Sequence, residues 1–281
     1  ITAASLTVKA GGAVTQNAAA SVTGTTSVDA GTNAVMLTQA GNAFNSVGVT
    51  GGAVSITDKD AVALDAITAA SLTVKAGGAV TQNAAASVTG ATSVDAGANA
   101  VTLANAGNNF GSVGVTGGAV SITDTNAAAL DAIKATSLTV KAGGAVTQVA
   151  DKTLAVTGAT SVDAAANAVT LANSGNNFGS VGVTGGAVSF TDTNAVALDA
   201  IKAASLTVKA GGAVTQNAAA TVSGATSVDA KGFDVSLNNA DNDFGSIGVT
   251  GNAVSITDKN AVALDAINAT SLTVKAGGAV T

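Results

Sequence analysis

The sequence predicts an all-β chain folded as a parallel, right-handed β-solenoid. Three observations carry that reading: a long internal repeat, apolar and polar residues that alternate with a period of two, and glycine pairs that recur between the alternating stretches. The segment Ser-Leu-Thr-Val-Lys-Ala-Gly-Gly-Ala-Val-Thr begins at Ser5, Ser71, Ser137, Ser205 and Ser271, so successive starts are 66, 66, 68 and 66 apart in sequence number. Self-similarity at a fixed period is the mark of a stacked architecture, in which each unit buries its apolar face against the next. The odd spacing has one source, since Val149–Val156 is two residues longer than the equivalent Asn83–Val88. An even insertion leaves inward and outward faces in phase, so a turn has grown. The chain therefore divides into four repeats, 1–66, 67–132, 133–200 and 201–266, with a partial fifth at 267–281.

Within the first repeat and into the second, Ala-Val pairs stand at Ala13-Val14, Ala34-Val35, Ala53-Val54 and Ala79-Val80. Their separations are unequal, yet three of them complete one repeat, which predicts three coils of about 22 residues per repeat and about thirteen coils in the chain. The first strand sets Leu6, Val8 and Ala10 on one face against Ser5, Thr7 and Lys9 on the other. The next sets Val28 and Ala30 against Ser27 and Asp29, then Val47 and Val49 against Ser46 and Thr50, then Val54 and Ile56 against Ala53 and Ser55. This is the alternation of half-buried strands, and the apolar spacing of three and four that a helix needs is not sustained. Asn17–Ala20 has helical propensity but is too short to nucleate.

The corners carry Gly11-Gly12, Gly51-Gly52, Gly77-Gly78 and Gly117-Gly118, where a positive φ costs glycine little. None of these pairs precedes Lys-Ser/Thr or a helix, which excludes a phosphate-cradling loop. Val, Ala, Leu and Ile fill the core, with Phe44, Phe110, Phe178 and Phe244 once per repeat. Three coils separate them by about 14 Å, so they read as fillers of a wide place rather than a stacked aromatic column. Right-handedness follows from the general bias of parallel crossovers.

Composition bounds the function. The 281 residues include no Cys, His, Trp, Tyr or Pro; all 11 basic residues are Lys and all 17 acidic residues are Asp. Without imidazole, thiol or guanidinium, zinc and nucleophilic-triad chemistries are excluded, and the chain is expected not to be an enzyme and to carry no cofactor. A net charge of −6, with 10% charged and 2% aromatic residues, offers neither phosphate neutralisation nor base stacking, so no nucleic-acid partner is expected. The chain opens at Ile1 without a signal-like segment, and both ends cut through the repeat pattern without a capping sequence. Its first expected partners are therefore neighbouring repeats of a longer chain.

Two recurrent sets of aspartates stand out: Asp29, Asp95, Asp163 and Asp229, and Asp65, Asp131, Asp199 and Asp265. Three coils apart, they suit solvation and turn capping better than paired catalysis. Asn239, Asp241 and Asp243 alternate before Phe244 and form the one candidate for calcium, although the terminal bidentate Glu of a calcium loop is absent. Asn268-Ala269-Thr270 matches a glycosylation acceptor, a match that chance supplies in so Asn- and Thr-rich a chain.

The segments Ser71–Gln82 and Asn108–Thr123, the latter reading Asn-Asn-Phe-Gly-Ser-Val-Gly-Val-Thr-Gly-Gly-Ala-Val-Ser-Ile-Thr, carry a resemblance. With them the chain resembles, over its whole length, the repeat regions of giant Gram-negative surface adhesins of the filamentous-haemagglutinin type and related autotransporter passengers. That resemblance implies export through an outer-membrane barrel partner and display as a β-helical fibre that meets like fibres or host surfaces. Two alternatives come from other classes. A β-helical polysaccharide-processing enzyme needs long irregular loops and clustered acid, whereas the loops here are short and nearly alike. An ice- or crystal-binding solenoid needs an unbroken Thr ladder, and Thr7, Asp29 and Gly48 break it.

Overall fold

The computed structural model describes residues 1–281, and every regular element in it is a β-strand. The chain forms two compact units, Ile1–Ser137 and Leu138–Thr281. Each is a parallel β-solenoid, and together they hold about 14 turns at a spacing of about 19 residues.

In the first unit the strands wind upward by pairing in parallel with the strand one turn later. One inward column reads Val14, Val35, Val54, Leu72, Thr92, Val113 and Leu130, each the register partner of the next. The alternation is visible in burial: the strand Val62–Ala76 buries Val62, Leu64, Ile67, Ala69, Leu72, Val74 and Ala76, while Thr73 and Lys75 face water. The second unit repeats the arrangement with one column that begins Val146, Val169, Val188, Leu206 and Thr226 and continues to Ile247 and Leu264.

The step along these columns corrects the expected coil. It is not uniform: Val113 pairs with Leu130 across a short turn and Val146 with Val169 across a long one. Three turns carry Val14 to Leu72, so a 66-residue repeat overshoots three turns by eight residues. Val80, the equivalent of Val14, stacks between Val62 and Val101 and not on the column that Val14 begins. The valines of all four Ala-Val pairs point inward, but Val14, Val35 and Val54 share one column and Val80 belongs to another. For the same reason Phe110 does not stand above Phe44. It follows Gly51, Ala69 and Val88 in its column, whereas Phe44 follows Ala3 and Val22. Thr7 shares its row with Ser27 and Gly48, while Asp29 shares a row with Lys9 and Thr50.

The corners also differ from expectation in their physics. Positive φ occurs at Gly31, Gly97 and Gly232 and not at the glycine pairs. The later pairs are required by close approach, whereas Gly11 and Gly12 face open space: a Cβ on Gly77 would stand 2.1 Å from the carbonyl oxygen of Lys59, and one on Gly52 2.4 Å from that of Thr32. No side chain fits where successive coils touch backbone to backbone. The two-residue insertion behaves as a grown turn. Asp151 takes a φ of 61°, and Asn173 Nδ2 donates to the carbonyls of Val149 and Lys152, at 2.8 and 2.9 Å, to hold it.

Candidate functional site

Two polar assemblies recur in every repeat, one inside a corner and one outside a sheet. The inner one begins with Asn42, which is fully buried. Its Oδ1 accepts from the Ala20 amide and from Gln16 Nε2; its Nδ2 donates to Gln16 Oε1 and to the carbonyls of Leu37 and Thr57. One turn on, Asp58 continues the inward phase of Val54 and Ile56 and is 2% exposed. Its two oxygens accept from the amides of Phe44, at 2.6 Å, and Asp60, at 2.8 Å. Only an acceptor at both oxygens satisfies two facing N–H donors, which is why Asp and not Asn stands here. Burial pushes the Asp58 carboxyl up from 3.8, against the pull of those two amides, and Asp192 is raised by the same cause.

The set recurs as Asn108 with Asp124, Asn176 with Asp192 and Asn242 with Asp258. Sequence reasoning missed it, although Asp58 stands in line with two buried residues of its strand. These groups close backbone donors where the chain leaves its ladder, and they present nothing to solvent.

The outer assembly is a bulge. Between Val47–Leu64 and Val49–Ile67 the register shifts, so that Asp65 and Ala66 together face Gly48. The same shift sets Asp131 against Gly114, Asp199 against Gly182 and Asp265 against Gly248. Where the glycine leaves room, a shallow groove of about 280 Å³ runs between Asp29, Thr50 and Asp65. Its counterpart in the second unit, about 380 Å³, lies between Asp163, Thr184 and Asp199. The structure thus brings members of the two aspartate sets to one groove, where the sequence had held them apart.

These aspartates are already engaged. Asp29, Asp95, Asp163 and Asp229 accept through Oδ1 from the amide two residues on, at Gly31, Gly97, Ala165 and Lys231. This is the turn capping expected of them. Asp65 accepts from Asn83, Asp199 from Ser180 and Asn217, and Asp265 from Ser246.

Two of the calcium candidates already have partners within the chain. Asn239 Oδ1 accepts from the Asp241 amide, at 3.0 Å, in a turn of its own. Asp243 stands in the strand Asp243–Thr250 against Lys259 Nζ at 3.0 Å and Asn260 Nδ2 at 3.2 Å, and that pairing holds its carboxyl below the ordinary value. No three carboxylates converge on one point. Asn268 is exposed, with Thr270 Oγ1 donating to the backbone and side-chain oxygens of Asn252.

No curated protein and no solved structure matches the chain. A family model described as repeats of unknown function (DUF5649) matches residues 1–50, 51–116, 117–184 and 185–250, in windows that follow the repeat spacing. With most of its length inside those four matches, the chain belongs to this family of repeats.

Proposed function

We propose that this repetitive solenoid is a structural and adhesive segment of an extracellular fibre on a bacterial cell surface, and that it catalyses no reaction. The observation that carries the reading is the sameness of its exterior. Every repeat shows solvent the same strands and the same bulge, and the same aspartate caps its turn in each. A scaffold needs length and uniformity, whereas a binding cleft needs a place that differs from its neighbours. Export through an outer-membrane partner, and attachment to host cells or to other cells, follow from the adhesin resemblance.

Immuno-electron microscopy of native cells tests this, with an antibody against the chain. Label along thin unbranched surface fibres is the expected result; label confined to the cytoplasm would overturn it. One observation favours polysaccharide processing as a second reading: Asp29 and Asp65 flank one groove. Release of reducing ends from surface polysaccharides, abolished by Asp65→Asn, would replace the first reading with this one.

A further inference from the structure

Each full repeat sets a lysine and an aspartate on adjacent rungs of one outward row. The geometry points to that pair as a lateral docking patch for a second copy of this chain, lying antiparallel. Lys75 is the register partner of Asp95, as Lys9 is of Asp29, Lys141 of Asp163 and Lys209 of Asp229. The four lysines are exposed and make no ion pair. The aspartates use Oδ1 to cap their turns, which leaves Oδ2 to face outward partners.

A lysine next to an aspartate on neighbouring rungs, ~4.8 Å apart, is complementary to itself under a two-fold axis. A second copy turned end over end puts its Asp95 against Lys75 and its Lys75 against Asp95. Steric access is good, because the flanking row carries Thr73, Ser93 and Gly114 before the bulge that sets Asp131 beside Gly114, and Lys134 in the docking row offsets the Asp131 charge. Net charge does not oppose the contact locally. The row reads Thr57, Lys75, Asp95, Thr116, Lys134, and so is not acidic despite the −6 of the whole chain.

The mismatch between repeat and turn then decides the form of the assembly. Within Ile1–Ser137, the row of Lys9 and Asp29 continues through Thr50 to Thr68, seven residues before Lys75 in the strand Val62–Ala76. The unit therefore carries two such rows on separate parts of its surface. A molecule with two self-complementary faces does not close as a dimer but grows sideways into bundles. This deepens the fibre reading and rests on it only for where bundles would form.

Sedimentation velocity of the purified chain tests the inference at low salt and at about 0.5 M salt, where charge pairs are screened within a few Å. The expected result is concentration-dependent association, weakened roughly tenfold by the salt. A variant with Lys9, Lys75, Lys141 and Lys209 all changed to Asp should stay single. So should one with Asp29, Asp95, Asp163 and Asp229 changed to Lys, and mixing the two should restore association. Because the second variant loses its turn caps, a third with the same aspartates changed to Asn keeps the Oδ1 acceptor and should still associate more weakly than the parent. Circular dichroism checks that each is folded. A parent chain that sediments as a single species at low salt, or a lysine-to-aspartate variant that associates like the parent, would overturn the patch. Single fibres on cells together with a non-associating chain would discard this inference and leave the fibre reading in place.

Discussion

Asp58 and Asp65 stand seven residues apart in one repeat, and their surroundings could hardly differ more. Asp58 is 2% exposed and closes two backbone amides in a corner, while Asp65 rides on a bulge above Gly48 and accepts from the exposed Asn83. The difference teaches where this chain places its polar chemistry. Inside the corner a carboxylate is tolerated because the alternative is two stranded N–H groups; outside, it serves solubility and a marginal hydrogen bond.

The largest expected effect breaks that contrast directly. Asp58→Ala leaves the Phe44 and Asp60 amides without acceptors in the interior and should cost about 2 kcal/mol or more. Asp65→Ala should cost about half a kcal/mol, as exposed sites usually do. Urea unfolding of the two variants measures both, and equal losses would erase the distinction between corner and bulge.

A second test asks what happens to an interior polar group that nothing satisfies. Thr26, Thr92, Thr160 and Thr226 lie in the inward columns with hydroxyls that find no partner. Thr92→Val exchanges an orphaned hydroxyl for a methyl of similar size and should stabilise by about 1 kcal/mol. A loss of stability, read from the same unfolding curves, would mean that the hydroxyl does have an acceptor.

The turn after Asp163 offers a smaller effect. Gly31 and Gly97 occupy the left-handed position there, but Ala165 and Lys231 hold φ values of 52° and 49° in the later repeats. Ala165→Gly should relieve about 1 kcal/mol of strain, offset in part by the added freedom of the unfolded chain. A thermal melt that moves downward instead would place the strain elsewhere.

The smallest effect is in pH. Asp58 and Asp192 have folded-state values raised above 3.8 by burial, so the folded state holds their protons more tightly than the unfolded chain. Their contribution is fully present below 3.8 and is lost as pH rises through the raised values. Asp243, lowered by Lys259, and Asp234, lowered by the Ala253 amide and Asn252, have the opposite sign but are screened at the surface. Stability should therefore rise modestly as pH falls from neutral toward the acid range, and the double variant Asp58→Asn with Asp192→Asn should flatten that rise. A parent chain that weakens steadily over the same range would contradict the sign.

Strand, parallel pairing and inward phase could all be read from alternation, because burial on one face writes itself into every second residue. The length of the turn could not. Val14, Val35, Val54 and Val80 share a chemical setting, yet Val80 leaves the column of the other three, and bulges such as the one at Asp65 and Ala66 change the step locally. Only the hydrogen bonds between coils reveal which residues stack. The corner was readable in principle, since Asp58 follows Val54 and Ile56 in the inward phase, and Gln16, Asn42 and Asp58 recur together as Gln82, Asn108 and Asp124. The aspartate grooves were hidden for the reason the turn length was: a repeat that is not a whole number of turns sends equivalent residues to different sides.

The mismatch between repeat and turn governs both surface and core, and the backbone neighbours of Val80 test it most directly. In isotope-labelled protein, nuclear magnetic resonance contacts between strands should place Val80 between Val62 and Val101. Contacts from Val80 to Asp58 and Thr102 instead, the neighbours that a uniform third of a repeat would give it, would restore three whole coils to each repeat and contradict the stagger on which the two-sided surface depends.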